Sequence, residues 1–450
     1  MKILVVGAGD VGFELSKVLS DEKHDVVIMD KDEDCLKKIS ENLDVLTLNG
    51  NATSPVDLVE AQVKSADVMI AVTNIDEVNI VSSVMAKRLG ARTVIARVRN
   101  DELSRPDSPL SPSELGIDIL IHPELAAARE ISLLLKRASA TDVVSLAENR
   151  LQLIGLRLMA TSKLTGMTLE EITRTIDEVP FRLVALSRRG NTVIPNGSQR
   201  LKQLDNLFIL CKTEDVDKFI HLTGHKDKKF ENILISGGSE VGELLAKELS
   251  KESHGWNIKL IEPDINKATE LANELKNVLV LNGNPTDPNL LVTEGINEMD
   301  AFISVTQDEE SNIISCLMAK HLEVKKTVAI VSKPEYLPLS ETIGLDAAIN
   351  VKASASDEIH RCIRKGNITI IKALKGIKAE VFEVVASNKS KVINRPVHKL
   401  KLPDGAILGG VIKQDDTVEI ATGTTVIHPG DKVIVFALPY AIDKVISLFQ

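Results

Sequence analysis

Aromatic residues are scarce, with one Trp, two Tyr and nine Phe in 450 residues. So few rings cannot line a base-stacking platform, which excludes the common kind of single-strand nucleic-acid binder. An excess of positive charge is also missing. Fifty-four Lys and Arg stand against 64 Asp and Glu, a net charge of −10 with a pI near 5.5. That is the opposite of the basic footprint of a nucleic-acid-binding domain. Only four cysteines occur, Cys35, Cys211, Cys316 and Cys362, far apart and without a CxxC pair. Neither a zinc ribbon nor a redox dithiol is expected. Each cysteine reads as a small buried hydrophobe in a reducing compartment. No apolar run approaches the roughly 20 residues that span a bilayer. The start, MKILVVGAGD, lacks the apolar core and cleavage site of a signal peptide. The expectation is a soluble cytoplasmic protein with no direct membrane insertion, whose membrane role, if it has one, comes through a partner.

What is present is an ordinary globular balance, 44% apolar and 26% charged. At about 150 residues per domain, the length alone predicts roughly three domains. An internal repeat sets the architecture instead. Ile3–Gly12 (ILVVGAGDVG) recurs as Ile233–Gly242 (ILISGGSEVG), and Leu48–Thr53 (LNGNAT) as Leu281–Thr286 (LNGNPT). Met85–Lys87 recurs as Met318–Lys320, Gly116–Asp118 as Gly344–Asp346, and Asp205 as Asp431. Order and spacing persist along the chain, so it is a tandem duplication of a unit of about 225 residues.

Within each unit the pattern changes once. Lys2–Val6, Asp25–Met29, Val45–Thr47, Val68–Thr73, Thr93–Val98 and Ile117–Ile121 read as strands, being continuous apolar runs suited to a sheet covered on both faces. Val11–Ser20, Glu33–Asn42, Pro55–Ala61 and Glu77–Leu89 carry helical spacing between them. This is the order of a doubly wound Rossmann-type sheet. Residues 142–222 differ. Leu153–Met159, Arg182–Ser187, Thr192–Ile194 and Asn206–Cys211 read as strands, with helices at Met167–Arg174 and Val216–His221 and a turn at Arg189-Gly190-Asn191. The expected fold is α/β: two tandem units, each a Rossmann-type parallel sheet followed by a small α+β (βαβββα) subdomain. The boundaries predicted are 1–138, 139–224, 230–365 and 366–450, with the charged stretch Leu222–Lys229 as the linker.

Chemistry concentrates in Gly7-Ala8-Gly9-Asp10-Val11-Gly12, a GxGxxG motif that follows a strand and opens a helix. Gly7 permits the tight turn, Gly9 lets a pyrophosphate approach the backbone, and Gly12 lets the helix pack on the strand. The free N–H groups of the helix end then face phosphates. Asp30 ends the second strand, placed to accept hydrogen bonds from ribose hydroxyls and to disfavour a 2′-phosphate. Asn51 and Thr53 form a polar loop near the adenosine edge or, alternatively, a turn. Thr73 and Asn74 end the fourth strand at the ligand-binding edge. Arg97 and Arg99 need a partner, either a phosphate or a carboxylate of the same domain. The second copy is altered: Gly237-Gly238-Ser239-Glu240-Val241-Gly242 has a side chain at the middle glycine. Glu262 replaces Asp30, Thr306-Gln307 replaces Thr73-Asn74, and Ile330 and Ser332 replace the arginines.

No Walker A sequence, HExxH motif or nucleophile–base arrangement accompanies these motifs, so no catalytic residues and no metal are expected. His122, before Pro123, reads as a helix cap or surface residue, since Asn350 takes its place in the repeat. The residues alone predict a duplicated nucleotide sensor.

The glycine motif, Asp30, Leu48–Thr53, Thr73-Asn74-Ile75-Asp76-Glu77 and Arg97, with their second-half counterparts, resemble the regulator-of-potassium-conductance (RCK) family. The resemblance covers nearly the whole chain. Two units in one chain resemble in particular the cytosolic regulatory subunits of bacterial Trk potassium-uptake systems. It implies a non-enzymatic protein, peripheral on the inner face of the cell membrane, that gates an integral membrane potassium-translocating subunit of TrkH type. It implies a homo-oligomer forming a ring of RCK units, with NAD(H) in the clefts and ATP and ADP as further candidates. Gly7 to Val11, Asp30, Thr73, Asn74 and Arg97 would line the first site, and Gly237 to Val241, Glu262 and Thr306 the second. The alternatives are a regulator of another cation transporter or antiporter and an NAD-dependent oxidoreductase.

Overall fold

Apolar runs punctuated by Gly, Asp and Asn become the strands of four sheets. The computed structural model describes residues 1–449 apart from 101–102, 104–107, 138, 176–178, 189–190, 226–229, 252–254, 334–335, 353–354, 356–358, 360–367 and 374–378. Arg189-Gly190, residues 226–229 of the charged linker and Cys362 therefore lie outside the described residues. The chain forms two compact units. One holds Met1–Ala127 with a returning segment, Asn350–Ile363, and the other holds Ala128–Ile349 with Arg364–Gln450.

The first unit runs β1 (Lys2–Val6), α1 (Asp10–Asp21), β2 (Asp25–Asp30), α2 (Glu33–Asn42), β3 (Leu46–Asn49), α3 (Pro55–Glu60), β4 (Val68–Ala71), α4 (Asp76–Leu89), β5 (Thr93–Arg97) and β6 (Ile119–Ile121). The strands are parallel in the order β3-β2-β1-β4-β5-β6. Val6 is in register with Met29 on one side and Ala71 on the other. The order reverses between β1 and β4, which opens a crevice at the carboxyl ends of these strands. Ile3, Leu4, Val5 and Val6 are all buried, because helices cover both faces of the sheet. Leu15, Leu19, Ile28 and Ile39 pack on one face and Met29, Leu58, Met69 and Val94 on the other. Ile359 of the returning segment enters the first of these clusters and is fully buried. Side-chain caps fix the helix starts. Asp32 accepts from the N–H groups of Asp34 and Cys35 at α2, and Ser54 from that of Asp57 at α3.

Helix α5 (Pro123–Lys136) leads out of the first unit. The second unit continues with β7 (Ala140–Leu146), β8 (Leu151–Arg157), α6 (Leu169–Thr175), β9 (Phe181–Arg188), β10 (Asn191–Val193), β11 (Asn206–Lys212) and α7 (Val216–Leu222). This small sheet is antiparallel, ordered β10-β9-β11-β8-β7. It carries one strand, β7, beyond the sequence expectation. A second parallel sheet follows, of β12 (Asn232–Ser236), β13 (Asn257–Glu262), β14 (Val278–Asn282), β15 (Ala301–Ser304), β16 (Lys326–Ile330) and β17 (Ala347–Ile349), ordered as in the first unit. Its helices are α8 (Glu240–Ser250), α9 (Ile265–Glu274), α10 (Pro288–Thr293), α11 (Glu309–His321) and α12 (Tyr336–Ile343). The last sheet holds β18 (Ile368–Ala373), β19 (Glu380–Val385), β20 (Ala406–Ile412), β21 (Val418–Ile420) and β22 (Lys432–Ala437), closed by α13 (Pro439–Phe449). Where the first small subdomain has α6, this one has a single 3₁₀ turn, Val397–Lys399.

The two small sheets share one apolar core within the second unit. Leu151, Leu153, Val184, Phe208 and Leu210 meet Val381, Ile412, Ile434 and Phe436. Cys211 and Cys316 are buried as expected, and burial pushes the Cys211 thiol up to about 12. Cys35 departs from the expectation, being half-buried in the first turn of α2. Among the described residues no helix is long and apolar enough to cross a membrane.

Candidate nucleotide site

The glycine loop joins β1 to α1 at the crevice. Gly7 holds φ +105°, and a Cβ there would lie 2.9 Å from the Thr73 amide nitrogen. A Cβ at Gly12 would lie 1.8 Å from the Gly7 carbonyl oxygen. Both glycines are therefore demanded by the backbone packing itself. Gly9 is not, for among the described residues a Cβ there would meet nothing within 4 Å. Gly9 as N-cap offers α1 no side-chain acceptor. The start of α1 thus presents backbone donors without a side-chain cap. Asp10 is exposed beside it and accepts a hydrogen bond at 2.7 Å from Lys352 Nζ, which holds its carboxyl below the ordinary value. Val11 is half-buried on the same turn.

Asp30 is tied to this loop. Its Oδ2 accepts from the Ala8 N–H at 2.6 Å and its Oδ1 from the Asp32 N–H at 3.0 Å. A carboxylate has about four acceptor positions, so two remain for ribose hydroxyls. Asn51 and Thr53 spend their side chains on each other: Asn51 Oδ1 accepts from the Thr53 N–H at 3.0 Å and from its hydroxyl at 2.8 Å. They form the turn that the sequence left as an alternative. Thr73 is fixed by Asn79, a fully buried residue of α4. Asn79 Oδ1 accepts from the Thr73 amide at 2.9 Å and its hydroxyl at 2.7 Å, while Asn79 Nδ2 donates to the carbonyls of Thr73 and Arg97. Asn74 is exposed, and its carbonyl accepts from Arg99 at 2.7 Å.

Of the two partners foreseen for the arginines, Arg97 has the carboxylate. Its guanidinium donates to Glu124 at 2.5 Å, with both side chains largely buried. Arg99 lies past the end of β5 and pairs with Asp76, whose carboxylate also accepts from the Arg99 and Asn100 amides. His122 is buried at the start of α5, where its carbonyl accepts from the Ala126 N–H, so the surface reading is corrected.

Asn79 was missed by sequence reasoning. The signal was present, because the repeat places Asn312 at the matching point. Asn312 Oδ1 accepts from the Thr306 amide and hydroxyl at 3.0 and 2.6 Å, and Asn312 Nδ2 donates to the Thr306 and Ile330 carbonyls. A polar residue on the inner face of an amphipathic helix, recurring in both copies, marks such a brace.

The second loop is closed differently. Gly237 holds φ +110°, like Gly7. Ser239 caps its own helix, its hydroxyl accepting from the Gly242 N–H at 3.3 Å. Glu262 is buried and accepts from the Gly238 N–H at 3.0 Å and the Asp264 N–H at 2.9 Å. A Cβ on Gly238 would lie 2.6 Å from Glu262 Oε2 and 2.7 Å from Leu271 Cδ1. Glycine at 238 makes room for the longer acid, where the first copy pairs Ala8 with Asp30. Glu240 and Val241 open α8 behind it.

A glycine loop at the switch point of a parallel sheet, twice in one chain, defines a tandem Rossmann-type nucleotide-binding fold. The TrkA-N domain family matches residues 3–123 and again 233–351, and the TrkA-C domain family matches residues 381–450. The chain belongs to the TrkA family of Trk potassium-uptake proteins. It is 34% identical to the Trk system potassium uptake protein TrkA homolog 1 of Methanosarcina mazei over the whole of both chains. It is 32% identical to the TrkA protein of Haemophilus influenzae, covering 97% of this chain and 95% of that one. Among solved structures it is similar to the GsuK channel bound to NAD, with a TM-score of 0.65 at 16% identity over 100% of this chain and 78% of that one. The RCK domain of GsuK gives a TM-score of 0.64 at 16% identity, over 100% of this chain and 94% of that domain. Both likenesses establish the fold.

Proposed function

We propose that this chain is a nucleotide-binding regulatory subunit of a Trk-type potassium-uptake system, acting from the cytoplasmic face on an integral membrane potassium-translocating subunit. The observation that carries the nucleotide reading is the contrast at the two helix starts. Gly9 leaves α1 without a side-chain cap, and no described residue comes within 4 Å of where its Cβ would lie, whereas Ser239 caps α8 from within. The first loop is therefore the principal site. NAD(H) is the favoured ligand, with ATP and ADP as competitors, because Asp30 presents a carboxylate where a 2′-phosphate would sit. Asp30 would take the ribose, the α1 amides the pyrophosphate, and Thr73 and Asn74 the rim. Arg97 spends part of its guanidinium on Glu124, which would weaken its hold on a phosphate. The second loop would bind more weakly, since Ser239 and the buried Glu262 already use groups that a ligand needs.

Regulation would follow from linkage. A nucleotide shifts a gate only by its difference in affinity for the two gate states. A homo-oligomeric ring, for which the membership of the family speaks, would let several such sites add their contributions. The role is a binding one and needs no catalytic group. Calorimetric titration of the purified chain with NAD⁺, NADH, ATP and ADP tests it, alongside Asp30→Ala. Binding of at least one nucleotide per chain, weakened tenfold or more by the substitution, is the expected result. Potassium flux through reconstituted membrane partner that ignored every bound nucleotide would refute the regulatory part.

A further inference from the structure

The first glycine loop does not stand alone. The returning segment is anchored on the first sheet by Ile359, fully buried among Ile3, Leu15 and Leu19. The same segment carries Lys352, whose Nζ lies 2.7 Å from the Asp10 carboxylate at the first residue of α1. Asp10 is a poor neighbour for a pyrophosphate, since like charges repel. It is also the residue next to Gly9, where an added Cβ would meet no described residue within 4 Å. An ammonium has three donors, and Asp10 engages only part of that capacity. The position matching Lys352 in the first half is Glu124, which is paired with Arg97. The lysine is therefore a feature of this loop and not a product of the repeat.

We infer that Lys352 is a phosphate-binding residue of the first nucleotide site: it neutralises Asp10 and offers its remaining donors to the ligand's phosphates. This rests on the nucleotide reading above and deepens it. The site is then composed of both halves of the chain, with the cradle from residues 7–12 and the cation from beyond residue 350. A phosphate arriving at α1 draws on the returning segment directly, so occupancy of the first loop bears on how firmly that segment is held.

The test is titration of the full chain with adenosine, AMP, ADP and NAD⁺, for the unaltered protein and for Lys352→Ala, Lys352→Gln, Lys352→Arg and Asp10→Asn/Lys352→Ala. Loss of one charge-assisted contact predicts that Lys352→Ala and Lys352→Gln bind ADP and NAD⁺ about tenfold more weakly. Adenosine, which has no phosphate, should bind within about twofold of the unaltered chain. Lys352→Arg should retain ADP affinity. Removing Asp10 as well should recover part of the loss, because the unmasked carboxylate is then gone. Undiminished ADP binding by both Lys352→Ala and Lys352→Gln overturns the inference while leaving the nucleotide reading intact. An equal loss for adenosine and ADP also overturns it, since that reports a structural role. Failure of the unaltered chain to bind any of the four ligands overturns both readings together.

Discussion

At the scale of single residues, the two copies solve the same packing problem in two ways. Ala8 with Asp30 occupies the volume that Gly238 with Glu262 occupies in the repeat, and in each pair the acid accepts the N–H of the small residue. A methyl at Gly238 would collide with both Glu262 and Leu271. Gly238→Ala should therefore destabilise the protein by about 1–3 kcal/mol. Adding Glu262→Asp should return much of that, and a double-mutant cycle in urea measures the coupling. Asn79 gives a second prediction. Asn79→Ala strips two donors and one acceptor from the half-buried backbone of Thr73 and Arg97 and should cost about 2 kcal/mol. It should also weaken nucleotide binding, because Thr73 loses its only buried brace among the contacts described. An Asn79→Ala protein of unchanged urea midpoint would contradict this. The glycine loop and Asp30 were legible in the sequence because their spacing relative to β1 and β2 is local. Asn79 was not, because its partners, Thr73 and the Arg97 carbonyl, lie on neighbouring strands and meet only when α4 docks.

At the scale of elements, strand and helix positions followed the apolar runs closely, with α2 and β1 as read. The misses are the elements whose justification is non-local. β7 is written ATDVVSL, a sequence with little punctuation, and becomes a strand by pairing with β8 from Ala140 to Leu146. One side chain ties this strand to the second parallel sheet within the same unit. Lys326, at the start of β16, is buried and donates to the Ala140 carbonyl at 2.5 Å. Burial pushes its ammonium down to about 8. The folded chain thus releases this proton near pH 8, while the unfolded chain keeps it until about 10.4. Between those values the unfolded state binds more protons, so stability from this group rises with pH. Lys326→Met should remove that rise. Denaturant midpoints measured at pH 7.5 and pH 9.5 should diverge between the two proteins, with the unaltered chain gaining more at the higher pH.

At the scale of the whole molecule, the tandem repeat was plain from the sequence, but the partnership of the two small subdomains was not. Each reads as a separate α+β piece, yet their inner faces fill one core, with Phe436 and Leu210 converging on Gly409. A Cβ at Gly409 would lie 2.5 Å from Phe436 and 2.8 Å from Leu210. Gly409→Ala should therefore loosen both subdomains at once. Phe436→Ala should cost about 3–5 kcal/mol by leaving a cavity in the shared core. Calorimetric unfolding checks this: a single transition lowered as one block is expected, and independent melting of the two subdomains would contradict a common core.

The return of the chain at Ile359 to the sheet it began also orders events during synthesis. The first sheet is complete in sequence by residue 121, but its apolar cluster waits for a side chain made more than two hundred codons later. At about 5–20 residues per second, that delay is on the order of tens of seconds. Through that interval the nascent first sheet carries an unfilled apolar seat beside Leu15 and Leu19. Final closure of the amino-terminal unit is thus timed by the carboxyl-terminal half. A stalled or truncated product would bear the mark of its incompleteness at its oldest end.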